Sequence, residues 1–389
     1  MKTITVLFLL FALNVQAFPS NTRYGYANCQ SCHLSPAGGG VLTQYGKMSE
    51  EEFLSSWAKE GEGGVFHFAK TPQWLSVGGD ARSVYVTTSS KTYEGSRFIG
   101  MQADLELGLR LTPNLFLVPS AGVYNNGQQF ESRRHYVLLN LNEQTSIRAG
   151  RFFPAYGVLF PDHTLYTRKG MGFDQGNESY NVEFSYKANE GEVFVTGILA
   201  PGSIFSLSGL QQQQPDQPPA TEQTFQQDEG TGEEAGDIGQ EEGEEEGYQG
   251  FAIRGALFLG KKSQVGFSGL YLITDAGFSI SYGPYAMVGF TKELYLLGEF
   301  DLQYATTEPN GSSYVDSSVG TMQIGYEFYK GLHAVGTVEQ KKASQSTVRT
   351  SAGVLWYPRP HFETSFTLSR ETTAFENVDF SVLLFHYYF

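Results

Sequence analysis

From about residue 73 to its end, the chain alternates apolar and polar residues with a period of two. In "MQADLELGLRL", Met101, Ala103, Leu105, Leu107, Leu109 and Leu111 fall on one side, and Gln102, Asp104, Glu106, Gly108 and Arg110 on the other. "YNVEFSYK" repeats the pattern, with Tyr180, Val182, Phe184 and Tyr186 set against Asn181, Glu183, Ser185 and Lys187. Successive side chains of a strand point to opposite faces, so this period spells strands with one apolar and one polar face. A sandwich strand with a wet outer face alternates in the same way. The spacing of the turns separates the two architectures.

Sixteen strand candidates follow one another, at about 73–88, 98–111, 114–124, 133–141, 144–153, 178–187, 191–200, 249–260, 263–275, 278–291, 293–305, 318–330, 332–340, 346–358, 360–370 and 377–388. Every second joint is tight: "TPN", "NEQ", "ANE", "GKK", "TKE", "YKG" and "PRP". Most of the others are longer, notably 154–177, 201–248 and 306–317, with "DAG" near 275 the exception. Long strands in even number, with short turns at one end and long loops at the other, predict an all-β fold, a transmembrane antiparallel outer-membrane β-barrel of about 16 strands. A closed barrel is the sheet that can span lipid, because it leaves no unpaired edge. The chain ends in "FSVLLFHYYF", with Phe389 terminal and Tyr387, Phe385 and Leu383 at alternate positions behind it. This ending resembles the C-terminal signature of outer-membrane barrels.

The first residues read as an export signal. Lys2 precedes an apolar run from Ile4 to Leu13, and Val15-Gln16-Ala17 has the form of a cleavage site. The run is about half the ~20 residues that a spanning helix needs. The expected organisation is a signal peptide at 1–17, an N-terminal segment at 18–72 and the barrel at 73–389. With sixteen strands both ends of the barrel lie at the short-turn, periplasmic side, so 18–72 hangs below the barrel or plugs it. The net charge of −15 is concentrated: residues 211–248 hold three Asp and nine Glu and no Lys or Arg. Such a segment reads as a disordered acidic outer loop. The remainder is close to neutral, which gives no sign of a nucleic-acid partner.

The two cysteines of the chain stand together in "CQSCH", as Cys29 and Cys32 with His33 next. This is the C-x-x-C-H pattern of covalent haem attachment. Two thiols three residues apart reach both vinyl edges of one haem, and the following imidazole becomes the proximal iron ligand. A redox dithiol lacks its βαβ context here, and a zinc site lacks a second ligand pair. A lone disulfide across two residues adds little loop-closure stabilisation. One haem c is therefore expected, on Cys29, Cys32 and His33. Met48, His67 and His163 are the candidates for the sixth position, with water or no ligand as the alternatives; a thioether there raises the reduction potential. "MSEEEFLSSWAKEG" predicts one short helix, with Ser49 and Glu52 as its capping box.

The stretches "YGYANCQSCHLSPAGGGVLTQYGK" at 24–47 and "GRFFPAYGVLFPDHTLYTRKGMGFDQG" at 150–176 resemble a family of proteobacterial outer-membrane proteins that fuse a single c-type haem segment to a porin-like barrel. The resemblance implies a porin–cytochrome role: moving electrons at the bacterial outer membrane, with a periplasmic c-type cytochrome as partner and the haem segment on the periplasmic side. In general porins the third outer loop commonly folds into the lumen. Here that loop is 154–177, and Asp162, His163, Arg168 and Lys169 are the expected lumen constriction. Asp104, Glu106, Arg148, Glu299 and Asp301 are expected to face the lumen as well. One haem does not bridge a ~30 Å hydrocarbon core alone. A second cofactor, a partner in the lumen or a diffusing mediator is then required. Two other readings stay open: a haem-gated or haem-plugged diffusion channel for small solutes, and a plain porin, in either case single or trimeric. The chain carries no catalytic triad or nucleotide fingerprint, so an electron carrier or channel is expected rather than an enzyme.

Overall fold

The computed structural model describes residues 19–26, 28–64, 71–173, 176–200, 248–274, 277–306 and 314–389. The signal segment, His67, Asp174 and nearly all of the acidic stretch 211–248 lie outside the described residues. The strands are β1 Leu75–Ser89, β2 Glu94–Arg110, β3 Leu115–Val118, β4 Ser120–Tyr124, β5 Gln129–Glu131 and β6 His135–Asn140. Then come β7 Thr145–Phe152, β8 Ser179–Lys187, β9 Gly191–Ala200, β10 Tyr248–Phe258, β11 Ser263–Thr274 and β12 Gly277–Gly289. The last six are β13 Leu294–Thr306, β14 Tyr314–Tyr329, β15 Leu332–Lys342, β16 Ser346–Arg359, β17 Phe362–Thr372 and β18 Asn377–Tyr388.

Adjacent strands pair antiparallel, and β1 pairs with β18 from Asp80↔Tyr388 to Ser89↔Asp379, which closes the sheet. The segments β3 and β4 form one stave interrupted at Pro119, and β5 and β6 form the next, interrupted at Ser132–Arg134. The eighteen segments thus make sixteen staves. The seam ends with Phe389 and Gly79 exchanging both backbone hydrogen bonds at 3.1 Å.

Alternation sorts the side chains as the fold requires. Leu105, Val137, Val195, Ile253, Phe300 and Ile324 are exposed on the outside. Their neighbours Glu106, Leu138, Thr196, Arg254, Glu299 and Asp301 are buried inside. An apolar band around a polar interior suits a barrel with lipid outside.

Two pieces of chain fill that interior. The first is the N-terminal segment, which caps the short-turn end as a plug. It has a 3₁₀ turn at Pro19–Tyr24, a helix α1 at Gln44–Ser49 and a wider helical turn at Glu50–Leu54. The helix begins earlier than the sequence predicts. Thr43 caps it by accepting the Gly46 N–H at 3.0 Å, and Ser49 lies inside it, donating back to the Gly46 carbonyl at 2.6 Å. The Ser49–Glu52 capping box is not formed. Thr43 wins because its own extended backbone places its hydroxyl beneath the first free N–H groups.

The plug is tied to the short-turn rim nearly all the way round. Thr22 Oγ1 donates to the Lys262 carbonyl at 2.9 Å, the Ser56 and Trp57 N–H groups donate to the Tyr357 and Pro358 carbonyls, and Arg359 pairs with Glu62 at 2.7 Å. Arg23, 0 % exposed, pairs with Glu327 at 3.1 Å. His361 Nδ1 stands 3.0 Å from Glu50. Glycine permits the closest approaches: a Cβ at Gly289 would run into the Arg23 backbone, and one at Gly331 into the Leu54 carbonyl. Val41 packs with Val118, Tyr136, Leu138 and Phe152 of the wall.

The second piece is the third outer loop, which folds across the lumen. Tyr156 Oη donates to Asp301 at 2.7 Å, the Val158 N–H to Glu299 at 2.7 Å and the Gly157 N–H to Ser268 Oγ at 2.9 Å. Its far side is held by the Tyr166 N–H donating to Glu339, by Tyr166 Oη donating to Glu371, and by Arg349 donating to the Thr164 carbonyl. Val158, Phe160 and Leu165 bury against Tyr285, Met287 and Leu297 of the wall. A four-residue helix α2, Tyr166–Lys169, stands at the loop's inner end.

Candidate functional site

The CQSCH stretch is a single helical turn. The Cys32 and His33 N–H groups both donate to the Cys29 carbonyl, at 3.2 and 3.0 Å. The chain then runs out through "SPAGGG" and returns, so that His33 bridges Leu42 and the Thr43 N–H donates to the Cys32 carbonyl at 2.8 Å. Gly38, Gly39 and Gly40 make the reversal, all with positive φ. At Gly38 a Cβ would come within 3.0 Å of Cys29 Sγ, so the thiol is walled by glycine.

Cys29 lines a cavity of about 100 Å³, open in part to solvent, between the plug, the third loop and the barrel wall. That is below the ~300–1,000 Å³ of ordinary ligand and cofactor sites. Four arginines reach it, from three staves and the loop: Arg134, Arg148, Arg254 and Arg168. Arg148 lies over the Phe152 ring at 3.7 Å and is held by Glu183 and the plug's Ser35 at 2.7 and 2.8 Å. Arg254 is held by Glu192 at 2.7 Å and by the Gly157 carbonyl at 3.0 Å. The wall thus grips both obstructions, one arginine each.

Cys32 and His33 do not line this cavity among the described residues. Cys32 is 1 % exposed, with the Ser49 hydroxyl as its hydrogen-bond partner. Burial pushes the Cys29 thiol up to about 11 and the Cys32 thiol up to about 12. Both are neutral thiols at ordinary pH in the free protein. They form no disulfide.

The remaining expected site residues scatter. Met48 is 58 % exposed in a surface dent beside Tyr45 and Lys330, on a different face of the plug from the Cys29 cavity. Arg168 is buried at the cavity, its guanidinium 5.3 and 5.5 Å from the Phe153 and Phe173 ring centres. Asp162 and Lys169 are exposed, and His163 is half-buried beside Asp162 in the loop. Asp162 accepts from the Thr164 N–H and hydroxyl, so it shapes the turn. The sequence reading missed Arg134, Arg254 and Met287, which reach the cavity from staves far apart in the chain. A lumen-facing charge in the alternation was the one available signal, and it does not say which staves meet.

No protein-family model matches the chain, and no curated protein matches its sequence. Solved structures do match in shape. The chain resembles OprB of Pseudomonas putida with a TM-score of 0.60 at 9% identity, over 87% of this chain and 99% of that one. An anion-selective porin from Comamonas acidovorans matches with a TM-score of 0.57 at 8% identity, over 81% and 99% of the two chains. OmpT of Vibrio cholerae, solved in a trimer form, matches with a TM-score of 0.56 at 9% identity, over 81% and 99%. The chain has the porin-like outer-membrane β-barrel fold.

Proposed function

We propose that the chain is an outer-membrane, porin-like barrel whose periplasmic mouth is stoppered by a plug carrying one covalent haem c, and that it exchanges electrons at that membrane. The observation that carries the reading is the CQSCH turn at the edge of a cavity with aromatic and arginine walls. Cys29 and Cys32 would hold the group by adding their S–H across its two vinyl bonds, and His33 would ligate the iron. The apolar lining and the glycine beside Cys29 Sγ suit the group, whereas the volume does not, and Cys32 and His33 lie outside the lining, so the plug has to rearrange to take it. Cys32 has to turn out from behind Ser49 to reach it. Bound there, haem supplies a one-electron iron couple. The chain's own part is to exclude bulk water and to hold the group at the barrel's inner end. A periplasmic c-type cytochrome or similar carrier is the expected partner on the plug's outer face.

The apolar band and closed seam support the membrane location, and a trimer is the arrangement to expect from the likeness to OmpT. Haem staining and a pyridine haemochrome spectrum on purified outer membranes test the reading. A stained band slightly below 43 kDa, the signal peptide being removed, that carries a thioether haemochrome supports it. Absence of covalent haem after expression with a cytochrome c maturation system defeats it. A second reading, a diffusion channel gated by its plug, is favoured by the plug and third loop standing in series across the lumen. Conductance that changes with haem reduction would select it.

A further inference from the structure

We propose that the plug reaches over the barrel's short-turn rim and seats Trp57 in the interface of the lipid bilayer, so that the stopper is fastened to membrane as well as to protein. The chain crosses the rim within three residues. Leu54 and Ser55 are buried, whereas Trp57 is 55 % exposed. The crossing point is the turn between β14 and β15. There Gly331, with positive φ, has no Cβ to meet the Leu54 carbonyl and the Ser56 nitrogen. Ser56 is gripped from three sides. Its N–H donates to the Tyr357 carbonyl at 2.9 Å, and its hydroxyl donates to the Lys330 carbonyl at 2.6 Å and accepts from Trp356 Nε1 at 3.0 Å.

Trp356 tells which side of the wall has been reached. It has the outward parity of exposed Val354, while Tyr357 between the staves is buried. Across the sheet Trp356 pairs with Leu332, and two residues further along β15 Ala334 pairs with Tyr326 of β14. Tyr326 and Phe328 are exposed on this same lipid face. Aromatic rings at the end of a barrel's apolar band lie at headgroup level, with one end dry and the other wet. Trp57 continues that belt. It meets Trp356 edge-on, ring centres 5.1 Å apart at 87°, and its N–H donates to the Pro358 carbonyl at 3.0 Å. Charge does not select the lipid, because Lys59 and Lys330 share their surface dent with Glu51, Glu52 and Glu60. The indole ring makes the contact, so a zwitterionic lipid suffices.

The chain's three tryptophans make the test direct. Trp74→Phe with Trp356→Phe leaves Trp57 as the sole emitter, and Trp57→Phe with Trp74→Phe leaves Trp356. Trp74→Phe alone keeps the Trp57–Trp356 pair intact. Each full chain is reconstituted into phosphatidylcholine vesicles brominated near the headgroup end of the acyl chains, near their methyl end, or not at all. Heat-modifiable migration on gels confirms that each barrel is folded. The expected result is that shallow bromines remove most of the emission of Trp57, of Trp356 and of the pair, and that deep bromines remove much less. Trp57 emission untouched by both brominated lipids overturns the proposal, and so does stronger quenching by the deep bromines. Iodide quenching of Trp57 in vesicles as strong as in the urea-unfolded chain also overturns it, and would leave the ring to solvent or to a protein partner.

Discussion

Replacing Arg23 should loosen the plug while leaving the barrel intact, by an amount that follows from its surroundings. The guanidinium is fully buried against Glu327 at 3.1 Å and near the ring of Tyr24 at 4.5 Å. Breaking one side of a buried ion pair costs about 3–5 kcal/mol, because the other charge stays behind unpaired. Glu327 would keep two donors, the Tyr24 hydroxyl at 2.8 Å and the Gly331 N–H at 2.7 Å, so the lower figure applies. Once the plug leaves, Glu327 faces lumen water and the penalty is relieved, so the whole cost falls on the docked state. About 3 kcal/mol corresponds to a roughly 150-fold larger undocked population. Lys47 is buried in the docked plug, and tryptic cleavage there reports undocking. When opening is fast relative to cleavage, the rate follows that population. Arg23→Met should therefore be cut at Lys47 roughly 100-fold faster, with the barrel still resisting SDS at room temperature. Arg23→Met with Glu327→Gln removes the stranded charge and should be cut more slowly than the single variant. Cleavage within threefold of the parent, or a double variant as fast as the single, would refute the reasoning.

In haem-free protein at pH 8, a thiol at about 11 carries a thiolate fraction roughly 200-fold below that of a free cysteine near 8.5. A higher-pKa thiolate is also the stronger nucleophile, so maleimide should label Cys29 roughly 10-fold more slowly than the urea-unfolded chain, and labelling at the unfolded rate would contradict its half-buried setting. Burial lowers the Lys47 amine to about 8 from its ordinary 10.5, so between those values the undocked chain binds more protons than the docked one. Docking should strengthen as pH rises from about 8 to 10.5 and stay level below; thermal release of the plug should show this slope in the parent and not in Lys47→Met. Glu299→Ala with Asp301→Ala removes two acceptors of the third loop. Planar-bilayer conductance should rise several-fold only when this is combined with Arg23→Met, because two obstructions in series must both clear; a comparable rise from the loop variant alone would show that the plug does not seal.

The barrel was legible because its physics is local. Alternation such as Leu105/Glu106, turn residues at 330–331 and a closing run to Phe389 each need only neighbouring residues to be read. The CQSCH spacing is local in the same way, and its helical turn is formed. What stayed hidden depends on pairs distant in sequence. Arg23, Lys47 and Glu50 look like surface residues in the chain, and they are buried because Glu327, the Val77 carbonyl and His361 receive them. The helix start was misread because Ser49 and Thr43 are both good caps, and the backbone chose the one flanked by extended chain. The inward turn of Arg134 was invisible because two adjacent arginines show no alternation to violate.

The seam between β1 and β18 sets an order of assembly. Everything in the lumen lies behind it, and the plug precedes β1 in the chain while touching turns that belong to β10 through β17. The plug is made before β1 yet completes its contacts only after those turns exist, so the first piece of the described chain is among the last to be seated.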